Sequence, residues 1–117
     1  MASIKYMLKV HCPDETINRI SEILGVEPTE KEYGYWGFRL TENATSGPVK
    51  FVDKFLKVLD GKVGLLKKAG VSRNDISVWV FCEYYGQCGL EFPASDLSRL
   101  GEAGLDLCIS CWESAPD

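Results

Sequence analysis

Histidine is almost missing from this sequence: His11 stands alone, beside Cys12 and Pro13 at the end of a strand-like segment. A lone strand-end imidazole is ordinarily a surface or hydrogen-bonded group, so no histidine-based acid–base pair is expected. The G-x-S-x-G turn that presents a nucleophilic serine is also missing, as is a glycine loop that cradles phosphate. The stretch "GYWG", Gly34 to Gly37, is too short and too aromatic to serve as one. Glu30 and Glu32 fall in a polar connection, where solvation accounts for them. No catalytic residue, metal or cofactor is therefore expected. Long apolar runs are lacking too; none approaches the roughly 20 residues of a membrane span. The opening "MASIKYMLKVHCPDE" has no extended apolar core, and Lys5 and Lys9 interrupt it. These absences predict a cytoplasmic protein that does not engage a membrane.

What is present suits one folding unit. A chain of 117 residues is near the commonest domain size. Residues 1–114 are expected to form a single domain, with 115–117 as a frayed tail. Charge is uneven: residues 49–70 carry six lysines against two aspartates, whereas residues 71–117 carry eight acids against two bases. An acidic domain with one lysine-rich segment is a poor match to nucleic acid, whose binding rests on neutralising phosphates.

Hydrophobic periodicity gives the elements. "SIKYMLKVHC" alternates, with Ile4, Tyr6, Leu8, Val10 and Cys12 on one side and Lys5, Met7, Lys9 and His11 on the other. Ile17, Ile20, Ile23 and Leu24 recur at helical spacing; Asp14 is placed to cap that helix and Gly25 to end it. "VEPTEKEYG" reads as a connection, and "YWGFRL" as a strand with Trp36, Phe38 and Leu40 on one face. Ser46 or Gly47 is placed to cap a helix entered at Pro48, with Val49, Val52, Phe55, Leu56 and Leu59 as its apolar stripe. A short helix around Val63, Leu66 and Ala69 follows. "ISVWVFCEYY" is an interior strand, joined through "GQ" to "CGLEF" as a hairpin. A helix capped by Ser95, with Leu97 and Leu100 facing inward, leads to the last strand, "LDLCISCW". The order β-α-β-α-α-β-β-α-β predicts an α+β domain: a five-stranded mixed or antiparallel sheet with helices packed mainly on one face.

Five cysteines in a cytosolic chain read as free thiols. Cys108 and Cys111 form a C-x-x-C, but on a strand residues three apart point to opposite faces, so this pair cannot converge on one ion. A redox C-x-x-C belongs at a helix N-terminus, which this is not. Cys82 and Cys88 flank the expected hairpin turn, close enough to oxidise in air. All are read as small apolar filler.

Several segments together resemble a family of uncharacterised bacterial proteins known only as a domain of unknown function. They are "ISEILGVEPTE", Trp36 and Leu40, the helix "VDKFLKVL", and "GLEFPASDLSRLGEAGLDLCISCW". Leu24, Gly25, Pro28 and Thr29 match the family's Leu-Gly-x-x-Pro-Thr, and Asp106 and Trp112 its closing strand, while the link from Thr29 to Trp36 is shorter. The resemblance implies one small domain and no particular activity.

Aromatic density remains to be explained. A sheet covered on one face leaves rings on the other, and exposed aromatic clusters mark binding surfaces. The candidate binding residues are Trp36, Phe38, Trp79, Phe81, Glu83, Tyr85, Glu91 and Glu102. Stacking of nucleobases would need interleaved cations, and only Arg39 lies near the aromatic strands. The expected partner is instead another protein, of basic character, as for an immunity protein or antitoxin that neutralises a basic toxin. The alternative is a small-molecule-binding or enzymatic domain whose pocket is lined by Trp36, Phe38, Trp79 and Tyr84, with His11 or a glutamate as its polar group.

Overall fold

The computed structural model describes residues 3–42 and 48–114; the expected cap at Ser46 or Gly47 and the tail at 115–117 lie outside them. Alternation at the start of the chain sets β1, Ser3–His11. Then come α1 (Ile17–Leu24), β2 (Glu30–Glu32), β3 (Tyr35–Glu42), α2 (Phe51–Leu59), α3 (Val63–Lys68), β4 (Ile76–Tyr84), α4 (Ala94–Glu102) and β5 (Asp106–Glu113). The five strands form one sheet in the order β2-β3-β1-β4-β5. β4 and β5 pair in parallel, linked through α4, and the other neighbours are antiparallel. This is the expected α+β architecture. Among the described residues no helix is long and apolar enough to cross a membrane.

Register converts the sequence pattern into layers. On one face, Trp36, Val10 and Ile76 lie side by side, as do Phe38, Leu8, Val78 and Leu107, and then Leu40, Tyr6, Val80 and Ile109. The helices cover this face. Ile17, Ile20, Ile23 and Leu24 of α1, Phe51, Val52, Phe55 and Leu59 of α2, Leu66 of α3 and Leu100 of α4 are all buried against it. Each such aliphatic or aromatic side chain contributes about 1.5–3 kcal/mol by leaving water. Lys50, Lys54 and Lys57 stay exposed, so the lysine-rich helix keeps a solvated outer side.

Some local expectations shift. Gly25 ends α1 in the left-handed region (φ 73°), as its position suggests. Asp14 does not cap α1; its Oδ1 accepts from the Gly34 N–H at 3.1 Å and holds the β2–β3 turn against the start of a 3-10 turn, Asp14–Thr16. Ser95 lies inside α4, which starts after Pro93, and Leu97 is exposed while Leu100 is buried.

The larger correction concerns the hairpin. Cys88–Phe92 is not a strand and does not pair with β4. A strand has two neighbours, and β4 already has β1 and β5; even past the strand's end, the Ser114 N–H donates to Tyr84 O at 2.7 Å. The chain turns away at Gly86 (φ 70°), and its apolar residues are satisfied by the helix layer instead. Leu90 packs on the core, and the Phe92 ring meets Phe51 edge-on at 6.2 Å. The fifth strand is β2, inside the segment read as a connection, where a Tyr33–Gly34 turn folds Glu30–Glu32 onto β3.

Candidate binding face of the sheet

The opposite face of the sheet carries no helix residues of the core cluster, and the same register assembles it. Arg39, Met7, Trp79 and Cys108 form one row; Thr41, Lys5, Phe81 and Ser110 form the next. Glu83 and Trp112 are paired at its end. Trp79 and Phe81, two residues apart on β4, stack at 5.8 Å with their planes 11° apart. The Lys9 ammonium lies 4.7 Å from the Tyr35 ring centre and 5.3 Å from that of Trp79. The Arg39 guanidinium lies 5.0 Å from the Phe81 ring. β1, between the two aromatic strands, thus supplies Lys9 to a ring of each, while Arg39 of β3 reaches across β1 to Phe81 of β4. Cation–ring contacts of this kind contribute about 0.5–1 kcal/mol where partly solvated.

Arg39 is clamped. Its Nη2 donates to Glu30 Oε1 at 3.0 Å, and the same carboxylate oxygen accepts from the Tyr35 hydroxyl at 2.9 Å. Burial, reinforced by that bond to Glu30, pushes the Tyr35 phenol up to about 12. Arg39 Nε is buried with no acceptor among the described residues, a donor left over on this face. Beneath the rings Met7 is buried, and it can be because Gly37 leaves room: a Cβ there would sit 3.0 Å from Met7 Sδ and 3.0 Å from Glu30 Cγ. Gly37→Ala should therefore push both side chains, loosening the Glu30–Arg39 clamp, at a cost of about 1–3 kcal/mol. Urea denaturation of the variant measures it.

The expected binding residues divide between the two sides. Trp79, Phe81 and Glu83 share this open face, with Glu83 Oε2 accepting from Trp112 Nε1 at 3.2 Å. Tyr85, Glu91 and Glu102 are exposed, on the loop after β4, the loop before α4 and the end of α4. Trp36 and Phe38 are elsewhere. Trp36 is fully buried on the helix side, its Nε1 donating to Ser21 Oγ of α1 at 3.0 Å, and Phe38 packs edge-on against Phe55 at 6.3 Å. Since Trp36 and Phe38 lie on one face of the sheet and Trp79 on the other, no single pocket is lined by all of them. A cavity of about 250 Å³ exists between α2, α3 and β4, lined by Leu56, Leu59, Val63 and Ile76, but it holds none of the aromatic set.

Alternation does not reveal the condition of β5. This strand forms the far edge of the sheet, and among the described residues nothing pairs with its outer side. Natural edges are usually shielded by lysine, proline or a covering element. β5 has neither residue, and Ile109 and Trp112, on its two faces, are 48% and 46% exposed. The missed signal was the composition of "DLCISCWE" itself: a strand with polar and apolar residues on both sides.

No protein-family model matches the chain, and no curated protein or solved structure does.

Proposed function

We propose that this domain is a protein-binding module that pairs the β5 edge with an extended segment of a basic partner, using the adjoining aromatic face to grip it. The observation that carries the reading is the eight-residue open edge with exposed Ile109 and Trp112. An added strand would gain main-chain hydrogen bonds along β5, and side-chain specificity from alternate positions. Asp106, Glu113 and Glu83 border the strand, with Glu91 and Glu102 exposed nearby in sequence, so a partner carrying lysine and arginine is favoured electrostatically. An immunity protein or antitoxin that caps a basic toxin is the form of this function that the acidic C-terminal third suits. A nucleic-acid strand suits it less well: the Arg39 charge is neutralised by Glu30, and Glu83 stands at the end of the aromatic face.

Two variants test the reading. A basic protein retained by the wild-type domain should be lost, by about 100-fold in affinity, when Ile109→Lys puts a charge on the edge. Reversal of Glu83, Glu91 and Glu102 to lysine should slow association about tenfold at low salt and flatten its salt dependence, while leaving the melting temperature in place. Equal retention by wild type and Ile109→Lys would remove the edge from the proposal. An unchanged on-rate after charge reversal would remove its electrostatic part.

A further inference from the structure

Three cysteine sulfurs from three separate segments meet at one end of the sheet. The parallel register sets Cys82 of β4 opposite Cys111 of β5. The turn at Gly86 then returns the loop so that Cys88 Sγ lies 3.2 Å from Cys82 Sγ. All three sulfurs lie within 4.8 Å of one another. Cys82 is buried, Cys88 half-buried and Cys111 exposed, so the cluster runs from the interior out to solvent. Cys108 and Cys12 take no part: Cys108 sits on the open face beside Trp79, and Cys12 in the core.

We propose that Cys82, Cys88 and Cys111 form a three-thiolate site for a thiophilic d10 cation, zinc(II) or copper(I). Sulfurs bound to one such ion at about 2.3 Å lie about 3.8–4.0 Å from each other. The Cys82–Cys88 spacing is shorter than that value and no pair is separated by more than 4.8 Å, so small side-chain rotations close the site without moving the strands. Soft sulfur donors with no histidine or carboxylate among them select these ions over hard cations such as magnesium or calcium. Binding is a proton exchange: each of the three thiols loses its proton as its sulfur ligates, leaving a net charge of −1 on the centre with zinc(II) and −2 with copper(I). Three protein ligands with Cys111 at the surface leave one side open, where a water or an outside donor completes a tetrahedral ion.

The site explains a pattern that filler does not. Apolar packing asks only that thiols be buried, yet here an exposed cysteine is brought to a buried one and a loop is folded back to supply the third. It shares the β5 strand with the protein-binding reading through Cys111, but it lies on the helix-side face, uses none of the rings, and is tested by metal uptake without any partner present.

Metal-free, reduced protein titrated with cadmium(II), a probe whose thiolate bonds absorb in the ultraviolet, should take up one equivalent. Zinc(II) added afterwards should displace it, and a separate competition against a copper(I) chelator establishes which of the two ions is held more tightly. Cys111→Ser, at an exposed position that should not disturb folding, should weaken uptake by about 100-fold or more, as should Cys88→Ser. Cys108→Ser should bind like wild type. Undiminished uptake by Cys111→Ser, or an equal loss in Cys108→Ser, would overturn the site. So would protein isolated under reducing, anaerobic conditions in which Cys82 and Cys88 form a disulfide in preference to binding metal.

Discussion

Trp36→Ala should remove about 3–5 kcal/mol of stability, the largest effect expected of any single truncation discussed above. The ring is fully buried at the junction of β3 with the helix layer. It pairs across β1 with Val10 and stacks on Phe38 at 6.4 Å. Its Nε1 donates to Ser21 Oγ, so one side chain ties the sheet to α1. Truncation leaves both a cavity and a serine hydroxyl without its donor. Against a total of about 5–15 kcal/mol for a domain of this size, the loss should lower the urea midpoint severely with the slope unchanged. Ser21→Ala removes only the acceptor and should cost about 1 kcal/mol. If Trp36 served instead as a surface anchor for a partner, its truncation would move stability by less than about 0.5 kcal/mol and act on binding alone. The two outcomes are well separated in one denaturation curve.

That contrast shows what the sequence could reveal. Alternation correctly placed Trp36, Phe38 and Leu40 on one face and Trp79, Phe81 and Glu83 on the other face of their strand, because side-chain parity is local. Which parity faces the helices is not local. It depends on β3 pairing antiparallel to β1, which puts Trp36 beside Val10 and leaves Tyr35, Gly37 and Arg39 outside. The apolar side of β1 was legible from Lys5 and Lys9; the register that transmits it to β3 was not. The Lys9 contact on the open face was hidden in the same way, since Lys9 is remote in sequence from both Tyr35 and Trp79 yet lies over both rings.

The thiols repeat the lesson. Parity alone shows that Cys108 and Cys111 diverge, and the structure agrees: their neighbours on β4 are Trp79 and Cys82, on opposite faces. What parity could not supply is the pairing of one strand with the next, or the path of a loop. Cys111 reaches Cys82 only because the α4 crossover returns the chain parallel to β4 in that one register, and Cys88 arrives through a loop that the sequence presented as a hairpin arm. The contact between Cys82 and Cys88 was foreseen, although the structure that delivers it is different.

Raising the pH from 9 to 12 should unfold the protein progressively, and the tyrosines on the two faces explain why. Tyr6 is buried against Phe51, with the rings 4.4 Å apart, and its hydroxyl donates to Glu42 Oε1 at 3.2 Å. Burial first, then the Glu42 charge and the hydrogen bond to it, raise the Tyr6 phenol from 10.0 to about 12. Tyr35 behaves alike through Glu30. In the Cys82 thiol, burial followed by the neighbouring sulfurs acts in the same direction, from an ordinary value of 9.0. The folded protein therefore keeps protons that the unfolded chain gives up, so stability is intact below pH 9 and declines above it. Each group contributes a slope of about 1.4 kcal/mol per pH unit between its two pKa values. For Tyr6 this amounts to about 2–3 kcal/mol by pH 12; Tyr35 is only partly buried, and solvent screening reduces its share. Tyr6→Phe keeps the stack on Phe51 and leaves Glu42 its bond from the Val49 N–H at 2.9 Å. Urea midpoints measured every half unit from pH 8 should then show a shallower alkaline decline for Tyr6→Phe than for wild type. Superimposable profiles would mean that the Tyr6–Glu42 contact does not hold the phenol proton, and that the base sensitivity comes from other groups.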